Sequence, residues 1–351
     1  MPREKNLTRL PDLKFIQPSI NMTQLSIEEM AGQRLMLGFD GQTLNARLKY
    51  LIKEIKTGGI ILFKPNIGSP EQLKTLCADA RQFALDCGLP DLFIAVDQEG
   101  GVVARLRRPF TEFPGNPHVR TRDQADEFAR VTAGELLDMG INMNMAPVLD
   151  VAPEGVDSIM KERVFPGDED LVAELGVMMI QGFQRKNIMA VAKHFPGIGR
   201  TVKDSHFSLP VLDAGLAALR QSDIKPFEAA RDAGVSGIML SHISYPRLDN
   251  TWQASLSPAI ARDLLRRDLG YEGLVMTDDL DMKAISHDME TCIRQIMISE
   301  IDLALICHSG PNIQKARDEV VRLLETDAVL FDLGNASVRR ILGAKKRFLR
   351  G

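Results

Sequence analysis

The chain has 351 residues, 44% of them apolar, a formal net charge of −4 and four cysteines. That length suits two domains or one large α/β barrel, and the apolar fraction is ordinary for a globular protein. The mild acidity leaves no nucleic-acid footprint. Cys77, Cys87, Cys292 and Cys307 are scattered without a CxxC pair, so they read as reduced thiols rather than a disulfide framework or a zinc site.

Residues 1–25 lack a continuous apolar run. Neither a signal peptide nor a membrane span is expected, and the cytoplasm is the default compartment. This stretch reads as an irregular extension, with residues 26–351 forming the body. Ser26-Ile27-Glu28-Glu29 has capping-box spacing for a first helix. Short apolar runs then alternate with amphipathic segments. The runs are 34–39, 59–63, 92–97, 141–147, 189–194, 237–242, 274–278 and 303–308. Between them, Leu44, Leu48, Leu51 and Ile55 fall at helical spacing. Ser69-Pro70-Glu71-Gln72 supplies an N-cap, a proline at the first helical position and a Gln at the third. Ser257-Pro258 repeats that start, and Ile313, Ala316, Val320 and Leu323 form the stripe of a late helix. Near-continuous apolar strands separated by helices predict a parallel sheet covered by helices. Eight such units fit a single α/β (β/α)₈ TIM-type barrel with one long insertion over 98–140. A doubly wound sheet is the rival.

In a barrel, chemistry sits at the C-terminal ends of the strands. Here those ends carry Asp97, Lys193-His194, His242, Asp278-Asp279 and His308. Asp278 at a strand end can act as a nucleophile or as an electrostatic partner for a developing cation. The plainer alternative is a helix cap. Neighbouring strand residues face opposite ways, so one Asp can serve chemistry and the other the cap. Asp204-x-His206 pairs a carboxylate with an imidazole that titrates near neutral pH, which suits a general acid/base; a surface turn is the bland reading. Pro196, Gly197 and Gly199 upstream would let that loop swing over a substrate. Lys193 could grip sugar hydroxyls, form a Schiff base, or snorkel from the barrel mouth. In Asp97-Gln98-Glu99-Gly100-Gly101, Asp97 could bind paired hydroxyls and the glycines permit close backbone approach; otherwise it is a turn with a solvated tip. Arg105 and Arg163, taken alone, read as solvated. No Walker or GxGxxG motif follows a strand, no HExxH occurs, and no His/Asp cluster has metal-ligand spacing. A metal or nucleotide cofactor is therefore unsupported.

Taken in order, GGIILF, AVDQEGG, APVLD, KHFPGIG with DSH four residues on, DIKPFEAA, SHISYP, LSPAI and MTDDLDM resemble the β-N-acetylglucosaminidase (β-N-acetylhexosaminidase) branch of glycoside hydrolase family 3, from about residue 30 to about residue 310. The resemblance implies a retaining hydrolase. Asp278 would be the nucleophile that forms a covalent glycosyl-enzyme, and His206 the acid/base with Asp204 as its orienting partner. Asp97, Arg105, Arg163, Lys193 and His194 would hold the terminal sugar. The implied substrate is a small carbohydrate, a β-linked N-acetylglucosamine on a peptidoglycan-derived muropeptide. Neither a cofactor nor a nucleic-acid or membrane partner is implied. A histidine acid carries no negative charge when deprotonated, so phosphate could replace water as acceptor. The chain departs from the pattern at Ile198, where a second His is usual, at Arg200 after Gly199, and at Lys161-Glu162 before Arg163. Ile198 and Arg200 raise the alternative of a sugar-binding relic without catalysis. A Schiff-base lyase using Lys193 stands further off, since it leaves Asp278 and DSH without a role.

Overall fold

The computed structural model describes residues 25–202 and 209–349. The eight apolar runs form eight parallel strands: β1 (Leu35–Leu37), β2 (Gly59–Leu62), β3 (Phe93–Val96), β4 (Met143–Asn144), β5 (Met189–Phe195), β6 (Gly237–Leu240), β7 (Leu274–Asp279) and β8 (Leu303–Ile306). Each pairs with its neighbour in chain order. β8 then pairs back on β1, with Leu35 opposite Ala304 and Leu37 opposite Ile306. The sheet is a closed barrel wrapped by helices, which excludes the doubly wound alternative with its two open edges.

Local chemistry starts the helices where the sequence predicts. Ser26 accepts from the Glu29 N–H while the Glu29 carboxylate accepts from the Ser26 N–H, completing the capping box of helix Ile27–Gln33. Ser69 caps helix Pro70–Asp86, but Gln72 turns back to the Gly68 N–H instead of closing a box. The helix expected around Leu44–Ile55 is shorter, Ala46–Lys53, because Asn45 caps it from within the periodic stretch. The segment after Ser257-Pro258 is helical from Ala259 to Asp268, wound in the wider π form. The expected insertion over 98–140 shrinks to 98–121. Thr121 starts an ordinary barrel helix, Arg122–Asp138, which buries Ala125, Phe128, Ala129, Thr132, Ala133 and Leu136. The extension expected over residues 1–25 falls outside the described residues except for Leu25.

Two apolar clusters follow from the two-residue period of the strands. Ile60, Ile94, Ala190 and Ala192 face out, into the layer between barrel and helices. Ile61, Phe93, Ala95, Met189, Val191, Met239 and Met276 face in and fill the barrel. The C-terminal helix Ala328–Phe348 closes the lower end, adding Ile341 and Phe348 to the interior cluster. Its Lys345 is buried there, with the Nζ 5.0 Å from the Phe93 ring centroid and 2.7 Å from the Gln33 side-chain carbonyl oxygen. The opposite end, where the strands terminate, stays open.

Candidate active site

The inward faces of the strands turn polar at their upper ends. Phe93 and Ala95 lead at the same period to Asp97, Met189 and Val191 to Lys193, and Leu274 and Met276 to Asp278. All three polar residues line one cavity of about 560 Å³ at the barrel mouth, together with Arg105, Arg163 and His194. His194 shares this cavity with its neighbour Lys193. Strand alternation would separate them, but the β5–β6 register slips between Lys193 and Phe195, and such a slip re-aims a side chain.

One wall is a network of five charges. The Lys193 ammonium donates to Asp97 Oδ1 at 2.8 Å and lies 2.7 Å from Glu99 Oε1. Arg105 donates to Asp97 Oδ2 at 3.0 Å, and its guanidinium lies over the Phe63 ring. Arg163 grips Glu99 with two nitrogens, at 3.0 and 2.8 Å. Burial alone would raise the Asp97 carboxyl, but Lys193 and Arg105 outweigh it and hold it well below the usual range. Burial likewise opposes the Glu99 carboxylate, and Lys193 and Arg163 overcome it. For Lys193, burial disfavours the ammonium, yet Asp97 and Glu99 raise its pKa above the ordinary value. A lysine held charged between two carboxylates is a poor nucleophilic amine, which counts against the Schiff-base alternative.

The second wall positions His194 and Asp278. Asp150, fully buried after β4, accepts from the backbone N–H groups of His194 and Ile198 at 3.2 and 2.8 Å. Its other oxygen lies 2.8 Å from His194 Nδ1. A carboxylate only accepts, so the ring proton is assigned to Nδ1 and Nε2 is left as the ring's other polar atom. His242 is oriented in the same manner. Its Nε2 donates to the Asp279 carbonyl at 2.8 Å, which leaves Nδ1 to accept from the Ser255 hydroxyl at 2.6 Å. Asp278 accepts from the Asp279 N–H at 2.8 Å. Burial would raise the Asp278 carboxyl, but His242, His194, the Asp279 N–H and Lys193 together bring it below the ordinary value. Burial in turn pushes His242 toward the neutral imidazole. Asp279 has a structural task, accepting from the Asp281 and Cys307 N–H groups. Cys307 also lines the cavity, and burial pushes its thiol well up, away from the reactive thiolate.

Asp204 and His206 lie outside the described residues. In the segment leading to them, the glycines expected as a hinge lie packed against the body, Gly197 at a φ of 121°. A Cβ on Gly197 would sit 2.7 Å from Asp223 Cβ, and one on Gly199 would sit 2.0 Å from the Val151 carbonyl. These glycines permit close packing against the body. Ile198 is buried in the outer core, and Arg200 holds the buried Asp223 carboxylate through Nε at 3.1 and 2.8 Å. The Tyr245 hydroxyl donates to the Gly197 carbonyl at 2.8 Å. Both atypical residues thus face the protein body.

Glu99 and Asp150 brace the site although sequence reasoning does not assign them to it, while His242, marked in sequence only as a polar strand end, lies beside Asp278. In sequence Glu99 reads as the solvated tip of a turn, yet it is 3% exposed. Gly100 and Gly101, at φ of 83° and 59°, fold the ribbon Gln98–Ala104 tightly against Gly115. That fold carries Glu99 inward. Asp279, Asp281 and His308 bring one ligand atom each within 4.8 Å of one another, a grouping able to take a cation. Asp281 is occupied by the His308 N–H and the Asn312 amide, however, and His308 is mostly exposed. This is a braced loop junction before it is a metal centre.

The chain matches the model of the glycosyl hydrolase family 3 N-terminal domain over residues 22–344. It is 33% identical over 299 residues to a β-hexosaminidase of Pseudomonas aeruginosa, covering 83% of this chain and 87% of that protein. A β-hexosaminidase of Nitrosomonas eutropha is 35% identical over 289 residues, with 78% and 80% covered. Among solved structures, a family 3 β-N-acetylglucosaminidase from Paenibacillus superposes with a TM-score of 0.88 at 35% identity over 93% of this chain, which spans 63% of that one. A β-N-acetylhexosaminidase from Beutenbergia cavernae gives 0.85 at 26% identity, with 92% and 99% covered. With the barrel, the cavity at its mouth and these matches in hand, the chain belongs to glycoside hydrolase family 3 and is a glycoside hydrolase.

Proposed function

We propose that this protein is a retaining exo-β-N-acetylglucosaminidase that removes terminal β-linked N-acetylglucosamine from peptidoglycan-derived muropeptides in the cytoplasm. The observation that carries the reading is Asp278. It is an inward-facing, buried carboxylate kept ionised at one wall of a cavity whose opposite wall is a fixed array of donors. Its oxygen attacks the anomeric carbon, the bond to the leaving oxygen breaks, and that oxygen takes a proton from His206, oriented by Asp204. Water then gives its proton back to His206 and displaces Asp278, releasing the sugar with its configuration retained. Asp97, Arg105, Arg163, Lys193 and His194 hold the sugar hydroxyls and the acetamido group. The β-hexosaminidase relatives support the glycone, and the four unpaired cysteines suit a reducing compartment.

The test is mass spectrometry after incubation with a 5-fluoro N-acetylglucosaminyl fluoride, which slows release of the covalent intermediate. A sugar adduct on the peptide carrying Asp278 is expected, and its absence in Asp278→Ala. Sugar binding by calorimetry with no adduct and no hydrolysis would overturn the proposal in favour of a binding protein without catalysis.

A further inference from the structure

We propose that His242 and Ser255 are positioning residues for Asp278, holding its carboxylate in place for attack by locking the residue that follows it. The inference rests on the glycosidase function proposed above. Neither residue lines the cavity. Among the described residues, the hydrogen bond to the Asp278 carboxylate comes from its own chain neighbour, the Asp279 N–H at 2.8 Å from Oδ1. That tether is only as steady as Asp279. Asp279 is gripped on both sides of its Cα. Its carboxylate accepts from the Asp281 and Cys307 N–H groups, each at 3.0 Å, and its main-chain carbonyl accepts from His242 Nε2 at 2.8 Å. The first two donors are backbone. The third is a side chain sent across from the end of the adjacent strand β6, and without it the Asp279 carbonyl is free to turn and carry the N–H with it.

Ser255 pins the other end of the ring, with its hydroxyl 2.6 Å from His242 Nδ1. Both side chains are buried. Ser255 lies in the short 3₁₀ turn Ala254–Leu256, which folds back on the strand end. The Ser255 N–H donates to the Ser241 carbonyl at 3.0 Å and the Ala254 N–H to the Ile243 carbonyl at 2.9 Å, so the turn brackets His242 on both sides. Burial keeps the imidazole neutral, with one donor and one acceptor. The carbonyl takes the donor and the hydroxyl serves the acceptor, so one tautomer in one orientation satisfies the site. A histidine that only filled the core would not need both partners to converge on the residue beside the nucleophile.

The rate of adduct formation at saturating 5-fluoro N-acetylglucosaminyl fluoride reads the attack by Asp278, and the inhibition constant of N-acetylglucosamine reads sugar binding. His242→Leu is expected to slow adduct formation by about 100-fold, the cost of a nucleophile misplaced by about 1 Å, with sugar binding changed by less than about threefold. His242→Gln can return an N–H to the Asp279 carbonyl and should recover about tenfold of that loss, while Ser255→Ala, which frees one end of the ring, should cost about fivefold. Adduct formation at the wild-type rate in His242→Leu and Ser255→Ala overturns the proposal. So does a fall in rate matched by an equal loss of sugar binding, the result of a purely structural role. If His242→Leu does not fold, Ser255→Ala decides by the same two criteria. A wild type that forms no adduct overturns the glycosidase function and this inference with it; a reactive wild type beside unaffected variants overturns this inference alone.

Discussion

Removing the Glu99 carboxylate should damage the protein more than removing any other single group of the charged wall. Glu99 is 3% exposed and meets three nitrogens, two from Arg163 at 2.8 and 3.0 Å and one from Lys193 at 2.7 Å. Glu99→Ala leaves two cations facing a void, with Asp97 as their remaining anion. Each contact near 2.8 Å is worth about 6 kcal/mol of Coulomb attraction at an effective dielectric of about 20, but desolvation cancels most of it. The quantity that survives is the cost of an uncompensated buried charge, about 3–5 kcal/mol, against a total stability of about 5–15 kcal/mol. Unfolding entropy of about 2.1 cal/mol/K per residue turns a loss of about 4 kcal/mol into a fall of about 5 °C in the apparent melting midpoint of a chain this long. Glu99→Gln keeps the shape, but its amide N–H₂ opposes a cation, so it should recover less than half of the loss. Urea titration, calorimetry and steady-state kinetics on an aryl N-acetylglucosaminide read the effect. The sugar-binding wall loses its brace, and kcat/KM should drop by at least about tenfold. If both variants stay within about 1 kcal/mol of the wild type with unchanged kinetics, Glu99 does not hold Lys193 and Arg163 in place, and the electrostatic reasoning for this wall fails.

Two further outcomes follow from buried charges away from the pocket. Burial brings Lys345 down to about 7, so between about pH 7 and its unfolded value near 10.4 the unfolded chain holds a proton that the folded one lacks. Stability should rise with pH across that window. Lys345→Met should flatten the rise in urea midpoints taken from pH 6 to 10, though the Gln33 carbonyl loses its donor; an equal slope in both proteins would contradict the lowering of Lys345 by burial. Burial also pushes Asp223 up to about 6 despite Arg200, so Arg200→Met should raise it further. Arg200 is a third exposed, so the loss at pH 8 is about 1–2 kcal/mol. It should shrink near pH 5, where Asp223 is protonated in the folded state. The same loss at both pH values would show that packing, and not charge, sets the effect.

The barrel was legible because its signal is local. Eight apolar runs, each followed by helical periodicity, suffice for a parallel sheet, and strand periodicity alone sends Asp97, Lys193 and Asp278 inward at the strand ends. Caps were legible for the same reason: Ser26 and Ser69 act on backbone groups three residues away. Closure rested on the count of eight units alone, since an open and a closed parallel sheet share one local pattern and differ only in whether β8 meets β1. The hidden members of the site were hidden for a similar reason. Glu99 gains its role from cations 64 and 94 residues further along the chain, and Asp150 from an imidazole 44 residues on. Their ionisation is a property of that company and not of their neighbours in sequence. The glycines of KHFPGIG mark the limit most clearly. Sequence shows that a side chain is absent at Gly197 and Gly199. Only the fold shows that Asp223 and Val151 occupy the space, so that a side chain is excluded at both positions, with the backbone at Gly197 held at a φ of 121° besides.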